Sequence, residues 1–527
     1  MGIKNFFLYV NTIRYLKIKQ IYYRLFYLIR DKTFKRNYFK KDSPKCASLF
    51  WNNRYAHQNT YFDNDTFVFL NQKKHFQNGI NWNFDEYGKL WCYNLNYFEF
   101  LNQEEISREE GLRLIADYIN QCSSLQDGLE PYPISLRGIN WIKFLSTHNL
   151  RESSINETLN NHYRILFDNI EYHLMGNHLL ENGFSLFFGA YYFKNNSFYR
   201  KAKKILINEL SEQITEDGAH FELSPMYHQI LLFRLLDCIH LAQLNPWKSD
   251  GLLPFMEDMA IKMLSWLQAI TFSNGSIPMV NDCAYGIAPS SRNLFDYAID
   301  LDLVWNKIKL SDSGYRRFHK NGFEIFMDVG KVGPDYQPGH AHSDTFNFEL
   351  YLDGNPVIVD TGTSTYEKNE LRQLERGTAA HNTVKVGNKE QTEVWGGFRV
   401  AKRAKIIALE EGENLLTASH NGYGRIVHQR QFDFSGEQLL ITDTVKNYAG
   451  ECHAFLHFHP SIGNVEQIQN RVILRGPSIE ILFEGTEILA KSVRCEIAMG
   501  FNKRESSIKL LIGFKERLTT NIRRIRK

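Results

Sequence analysis

Apolar residues between about positions 107 and 306 recur three and four apart, as in Leu159, Tyr163, Leu166, Ile170 and Leu174. That spacing lines one face of a helix, so the stretch predicts helices that each bury one side. Runs 199–214, 226–244 and 256–270 repeat the pattern, and an Asp217-Gly218 turn follows the first of them. Ser107 with Glu110, and Ser154 with Glu157, fit capping boxes, in which hydroxyl and carboxylate each satisfy an orphan amide. Short turns between successive helices point to antiparallel pairs.

After a polar stretch at 312–321 the period falls to two. Alternating segments at 323–329, 345–352, 357–359, 383–386 and 404–409 are separated by turn signals such as Asp353-Gly354, Gly387-Asn388 and Glu411-Gly412. Segments 438–445, 472–474 and 508–514 continue the theme. The pattern predicts an antiparallel β domain of sandwich type. A multidomain α+β chain is expected, with a basic segment at 1–45, a helical domain at 46–315 and a sandwich at 316–527. A length of 527 residues also exceeds what one core usually holds.

Composition changes little in this picture. Apolar content of 43% and charged content of 23% suit a globular protein, and a net charge of +3 gives no case for nucleic acid. Aromatics reach 14%, which core packing accounts for and sugar stacking also could. The seven cysteines form no CxxC pair, so neither a disulfide framework nor a zinc–thiolate site is expected.

Charge is unevenly spread. Residues 1–41 hold eleven Lys or Arg against one acid, Asp31. The uncharged run from Asn5 to Ile13 is short and polar for a signal-peptide core, and no small-x-small cleavage site follows. A basic amphipathic helix docked on its own domain is expected, with peripheral membrane contact as the alternative.

Four clusters carry candidate chemistry. In Met175-Gly-Asn-His-Leu-Leu-Glu-Asn182, Asn177, His178 and Glu181 fall within about one helical turn. In Glu222-Leu-Ser-Pro-Met-Tyr-His228, Pro225 sets Tyr227 and His228 near a helix start. In Gly339-His-Ala-His-Ser-Asp-Thr-Phe346, an extended chain would aim His340 and His342 to the same side as Phe346 and Phe348. Asp360 ends an apolar strand and His381 begins another, so His342, Asp360 and His381 make a set suited to Zn²⁺. A two-residue turn at Asp353-Gly354 sets Asp360 opposite Asn347, however, so the set needs a bend or a bulge. Each cluster alone also reads as an ordinary polar helix end or a satisfied core edge.

Together the clusters resemble the heparinase II/III family of polysaccharide lyases, with its related alginate and oligoalginate lyases. The likeness is sharpest from Gly339 to Thr383, where His-x-His, Asp353-Gly354, Val359-Asp360 and Ala380-His-Asn-Thr383 follow in family order. Pro131-Tyr-Pro-Ile-Ser-Leu-Arg-Gly-Ile-Asn-Trp141 also looks like a family segment. The resemblance implies an incomplete (α/α) toroid followed by an antiparallel β-sandwich. It also implies an acidic polysaccharide or oligosaccharide substrate cleaved by β-elimination across a uronate. Asn177 and His178 would neutralise the uronate carboxylate, with Glu181 orienting them. Tyr227 would act on the C5 proton or the leaving oxygen, with His340 as partner acid or base. His342, Asp360 and His381 would hold a structural zinc. A periplasmic location is implied too, while the N-terminal reading leaves a cytoplasmic or membrane-peripheral one open.

The chemistry suits those residue types. Donors that neutralise the carboxylate let the C5 carbanion spread into it, and each such donor contributes about 3–4 kcal/mol. A Tyr acts as base only where positive charge lowers its pKa, which His228, His340, Arg137 or Arg376 would supply. Tyr227 and His340 are expected on opposite sides of the sugar, and Arg137, Arg372, Arg376 and Arg399 are candidates to grip further anions. A glycoside hydrolase using two of Glu181, Asp217, Glu222 and Asp282, a non-catalytic glycan-binding protein and a metallohydrolase stay open, as does the oligomeric state.

Overall fold

The computed structural model describes residues 3–33, 37–41, 44–55 and 57–525, so Lys35 and Arg36 of the basic segment lie outside the described residues. Its first half is helical and its second half antiparallel sheet, in the order the periodicity predicts. Helices Pro131–Thr147, Ser153–Asp168, Asn196–Gln213 and Pro225–Leu244 surround Gly176–Phe193. In that central helix every residue except His178 is buried. Close packing there depends on missing side chains: a Cβ on Gly189 would sit 2.4 Å from the Tyr163 ring, and one on Gly138 would sit 2.8 Å from the Tyr163 hydroxyl. Tyr163 fills the space that both glycines leave, as the density of protein interiors requires.

Two details differ from expectation. Ser107 caps Arg108–Gln121 by accepting from the Glu110 amide, but the Glu110 carboxylate binds Arg113 and Tyr61 and does not reach back. Helix Ser153–Asp168 starts before the second expected box, with Glu152 at its N-cap and no side-chain cap. A three-stranded sheet, Tyr61–Phe62, Thr66–Phe69 and Gln72–His75, also precedes the helices. Its strands are too short for periodicity to reveal.

The second half holds a four-stranded antiparallel sheet, Tyr315–Lys320, Phe323–Asp328, Phe348–Leu352 and Asn355–Ile358. A larger sheet is built around the long pair Ile479–Ala498 and Arg504–Arg524. Strands Ile426–Asp433 and Leu439–Lys446 alternate buried and half-buried residues along their length. Their inward side chains, with Leu510 and Ile512, share one apolar core with Ile325, Phe348 and Leu350 of the smaller sheet. Each large apolar side chain fully buried there contributes about 1.5–3 kcal/mol.

The expected strand at 345–352 begins only at Phe348. Phe346 has φ +68°, a left-handed conformation that breaks the extended run, and Ala341 donates its amide to the Pro338 carbonyl in a turn. His340 and His342 therefore lie in irregular chain, and strand alternation does not apply to them. The Asp353-Gly354 turn does pair Leu352 with Asn355, and a bulge between Leu350 and Tyr351 then shifts the register.

Candidate active site

The site forms where loops of the helical half meet the His-x-His loop. Ser224 caps Pro225–Leu244 by accepting from the Tyr227 amide, while its hydroxyl donates to the Asp282 carbonyl at 2.6 Å. The Asp282 amide in turn donates to the His340 carbonyl at 3.0 Å. Leu223 takes φ +56°, and its carbonyl accepts from the Asn281 carboxamide and the Tyr315 hydroxyl. Three separate stretches of chain are thereby fixed together before any reactive group is considered.

On this frame the Tyr227 ring lies face to face with the His340 ring, centroids 3.8 Å apart and planes 13° from parallel. The expectation that the two flank a sugar is thus wrong, because that gap admits no ring between them. His340 Nδ1 is 2.6 Å from Glu222 Oε2. Glu222 Oε1 accepts from the Asn177 amide at 2.9 Å. Burial works to raise the Glu222 carboxyl, yet His340, His220 and that amide draw it down to about 2. The Tyr227 hydroxyl is 3.3 Å from the Tyr366 hydroxyl, and burial pushes its pKa well up, so it stays protonated at neutral pH. Gly176 makes room for Glu222: its φ is +58°, and a Cβ there would meet Glu222 Oε1 at 2.4 Å.

His178 Nδ1 is 3.1 Å from Glu171 Oε1, and Asn182 donates to the other Glu171 oxygen. Burial works to lower His178, but Glu171 overcomes it and the net shift is upward, favouring the cation. Glu171, not Glu181, therefore orients His178. Glu181 is fully buried, neither of its oxygens has a hydrogen-bond partner, and Arg234 Nε lies 3.8 Å away. Burial raises its carboxyl to about 7. The Asn177 carboxamide oxygen also lacks a partner, which leaves that side chain uncommitted.

Three expected substrate contacts are not placed to touch a substrate. Arg137 is fully buried and gives its guanidinium to the carbonyls of Asn96 and Gly128. His228 points inward: Nδ1 accepts from the His220 amide, Nε2 faces the Met263 carbonyl, and burial lowers it to about 3. It is neutral and supplies no field to Tyr227. Arg376 is buried and holds the carbonyls of Ala341 and Gly397, bracing the chain between the two histidines. Each looked like a free cation in sequence because its carbonyl partners carry no sequence signal.

His342 is fully buried and donates from Nε2 to Asp282 at 2.9 Å. Arg372 grips the same carboxylate with both terminal nitrogens, at 2.5 and 2.6 Å. Burial lowers His342 to about 3, so it is neutral and its Nδ1, which has no partner, carries a lone pair. His381 Nδ1 is 2.7 Å from Asp360 Oδ2, its Nε2 is unpartnered, and its ring is 5.4 Å from that of His342. Asp360 Oδ2 also accepts from Asn347 at 2.6 Å, the residue the hairpin register had put opposite it. Among the described residues no group of three or more His, Cys, Asp or Glu is already arranged as a metal site. The donor types nonetheless fit zinc, with a neutral imidazole oriented by a second carboxylate as metal-bound histidines usually are.

Sequence reading missed Tyr366, Glu171 and the Asp282–Arg372 pair as parts of this centre. Glu222 offered a signal, since it shares a seven-residue stretch with Tyr227. Tyr366 offered none. A cavity of about 370 Å³ bordered by Tyr38, Lys40 and Phe167 shares no residue with the site.

The model of the heparinase II/III N-terminus matches residues 134–300, and that of the heparinase II/III-like C-terminal domain matches 304–523. The chain belongs to the heparinase II/III family. Among curated relatives it is 24% identical over 332 residues to a heparin-sulfate lyase of Bacteroides stercoris, an alignment covering 56% of this chain and 47% of that protein. A heparin-sulfate lyase of Pedobacter heparinus is 26% identical over 319 residues, covering 54% and 46%. The chain thus matches about half the length of these relatives. Among solved structures, heparinase III superposes with a TM-score of 0.68 at 16% identity, covering 93% of this chain and 88% of that one. Heparan sulfate lyase HepC from Pedobacter heparinus gives 0.56 at 17% identity, covering 87% and 81%. These likenesses establish the fold that this family member shares.

Proposed function

We propose that this heparinase II/III family member is a polysaccharide lyase that cleaves a uronate-containing acidic glycan by β-elimination. The observation that carries the reading is the Tyr227–His340 stack with Glu222 beneath it, which joins two halves of the chain in one acid–base unit. The relatives named above are heparin-sulfate lyases, which supports an acidic glycan as substrate. The helices that pair around Gly176–Phe193 are read as the incomplete toroid of such enzymes.

Glu222 Oε2 lies 2.6 Å from His340 Nδ1, and with the imidazole proton on that nitrogen Nε2 offers its lone pair to the C5 proton. Tyr227, kept protonated by burial, donates its proton to the leaving oxygen. The C5–H and C4–O bonds break and the C4=C5 bond forms, leaving His340 protonated and Tyr227 deprotonated until proton exchange with water resets both. His178, held cationic by Glu171, and Asn177 stabilise the charge that moves into the carboxylate. Because the two rings are stacked, both transfers occur on one face of the sugar, so the pair serves one C5 epimer. Glycoside hydrolysis finds less support: Asp282 is gripped by Arg372, Asp217 accepts from Ser311 and Ser313, and Glu222 is held by His340. That leaves Glu181 without a free carboxylate partner.

His342, Asp360 and His381 would hold a zinc ion that braces the loop below His340 and takes no part in proton transfer. Metal analysis of the purified protein, with thermal melts before and after chelation, tests that role. The lyase reading is tested by ultraviolet absorbance of an unsaturated uronate on incubation with heparan sulfate, alginate and related glycans. Tyr227→Phe and His340→Gln should each lower the rate by about 10²–10⁴-fold. Full turnover by Tyr227→Phe, or products without the unsaturated chromophore, would overturn it.

A further inference from the structure

The two N-terminal helices, Ile3–Ile13 and Ile18–Thr33, are amphipathic in the inverted sense. The face that docks is polar and aromatic. Gln20 donates to the Leu174 carbonyl, Tyr27 to that of Ile170 at 2.6 Å, and Arg30 to that of Asp168 at 2.7 Å. In the first helix, Tyr9 meets Trp395 edge-on at 4.9 Å, and Trp395 donates to the Thr12 hydroxyl at 3.2 Å. Gln20, Tyr23, Tyr27 and Arg30 follow a three-four-three spacing, so one stripe of the second helix is used up by the body.

The opposite stripe is apolar and faces solvent. Val10 and Ile13 are 45% and 52% exposed, and Ile18, Leu25 and Ile29 are 85%, 56% and 63% exposed. Of the 27 exposed large apolar residues among the described residues, eleven lie on these two helices. Contiguous apolar surface of this kind marks an interaction site. Arg14, Arg24 and Lys32 are exposed around it. The segment 1–41 has eleven of the chain's 62 basic residues and one of its 59 acidic ones, so the remainder of the chain is net negative.

We propose that this face binds an anionic lipid surface, with the apolar stripe entering the headgroup boundary and the surrounding Lys and Arg meeting phosphate groups. Apolar and cationic side chains on one face are what an interfacial helix requires. Two such faces of neighbouring copies would bring like charge against like charge. No helix of the described residues is long and apolar enough to cross a membrane, so the helices lie on the surface. The second helix rests on Leu174 and Tyr336, close in sequence to Asn177 and His340, so binding would present the candidate site near the bilayer.

The test is co-sedimentation of the full chain with vesicles of phosphatidylglycerol and phosphatidylethanolamine, against vesicles of phosphatidylcholine. The expected result is retention on the anionic vesicles, weakened by salt, and at least about tenfold weaker retention for Leu25→Glu/Ile29→Glu and for Arg24→Glu/Lys32→Glu. Unchanged thermal melts of both variants exclude unfolding as the cause, and Leu25→Ser/Ile29→Ser serves if the glutamate variant does not fold. Absence of retention, equal retention on neutral vesicles, or a dimer in light scattering that these variants dissolve would overturn the proposal.

Discussion

Two histidines separated by one residue sit in opposite surroundings. His340 has a side chain 12% exposed and lies at the junction of the two halves, stacked on Tyr227 with Nδ1 2.6 Å from Glu222 Oε2. His342 is fully enclosed, with Asp282 on one nitrogen and Arg372 completing the pair beyond it. The first is partly open to solvent, while the second is held by groups that are themselves buried. Burial and partner, not residue type, divide the imidazole proposed as reactive from the one proposed as structural.

The sharpest way to break that comparison is to change each histidine alone. His340→Gln should cost about 10²–10⁴-fold in elimination rate with little change in melting temperature. His342→Leu should instead cost about 1–3 kcal/mol of stability, because the buried Asp282 carboxylate loses one of its donors, while the folded fraction keeps its turnover. Comparable rate losses at unchanged melting temperature would erase the distinction.

Gly176→Ala probes the support of the proposed acid–base unit. The left-handed φ of +58° and the 2.4 Å approach to Glu222 predict a loss of about 1–3 kcal/mol and a displaced Glu222. Chemical denaturation and the rate should both fall; an unchanged rate would show that Glu222 does not position His340.

Smaller effects separate the carboxylates by pH. Glu222 titrates near about 2 when folded, below its ordinary value, so its contribution is present above that value and is lost as pH falls through about 2. Glu181 is the reverse case. Raised to about 7, it costs stability once pH exceeds its ordinary value, and the cost is complete above about 7. Glu181→Gln should therefore melt higher than the parent at about pH 8 and level with it at about pH 4. A variant that melts lower at both values would show that Glu181 is needed to balance Arg234.

Much of the architecture was legible because it depends on near neighbours in sequence. Periodicities of three to four and of two gave helices followed by strands, since each element hides one face from water whatever it packs against. The motif stretches also marked Asn177, Tyr227, His340 and His342 before any coordinates. Register and alternation failed at His340 and His342, because a left-handed Phe346 ends the strand and only the packing around it holds that conformation. Arg137, His228 and Arg376 were misjudged for a related reason: their partners are backbone carbonyls brought from distant segments.

The sequence by itself determined the two-part fold, the family and the residues among which a site had to lie, because local spacing and motif order carry that information. Only the tertiary structure decided that Glu222 stands under His340, that Glu171 rather than Glu181 serves His178, and that the N-terminal helices turn their apolar side outward. Those outcomes depend on which polar groups meet when water is excluded between distant segments, and no local pattern encodes that meeting.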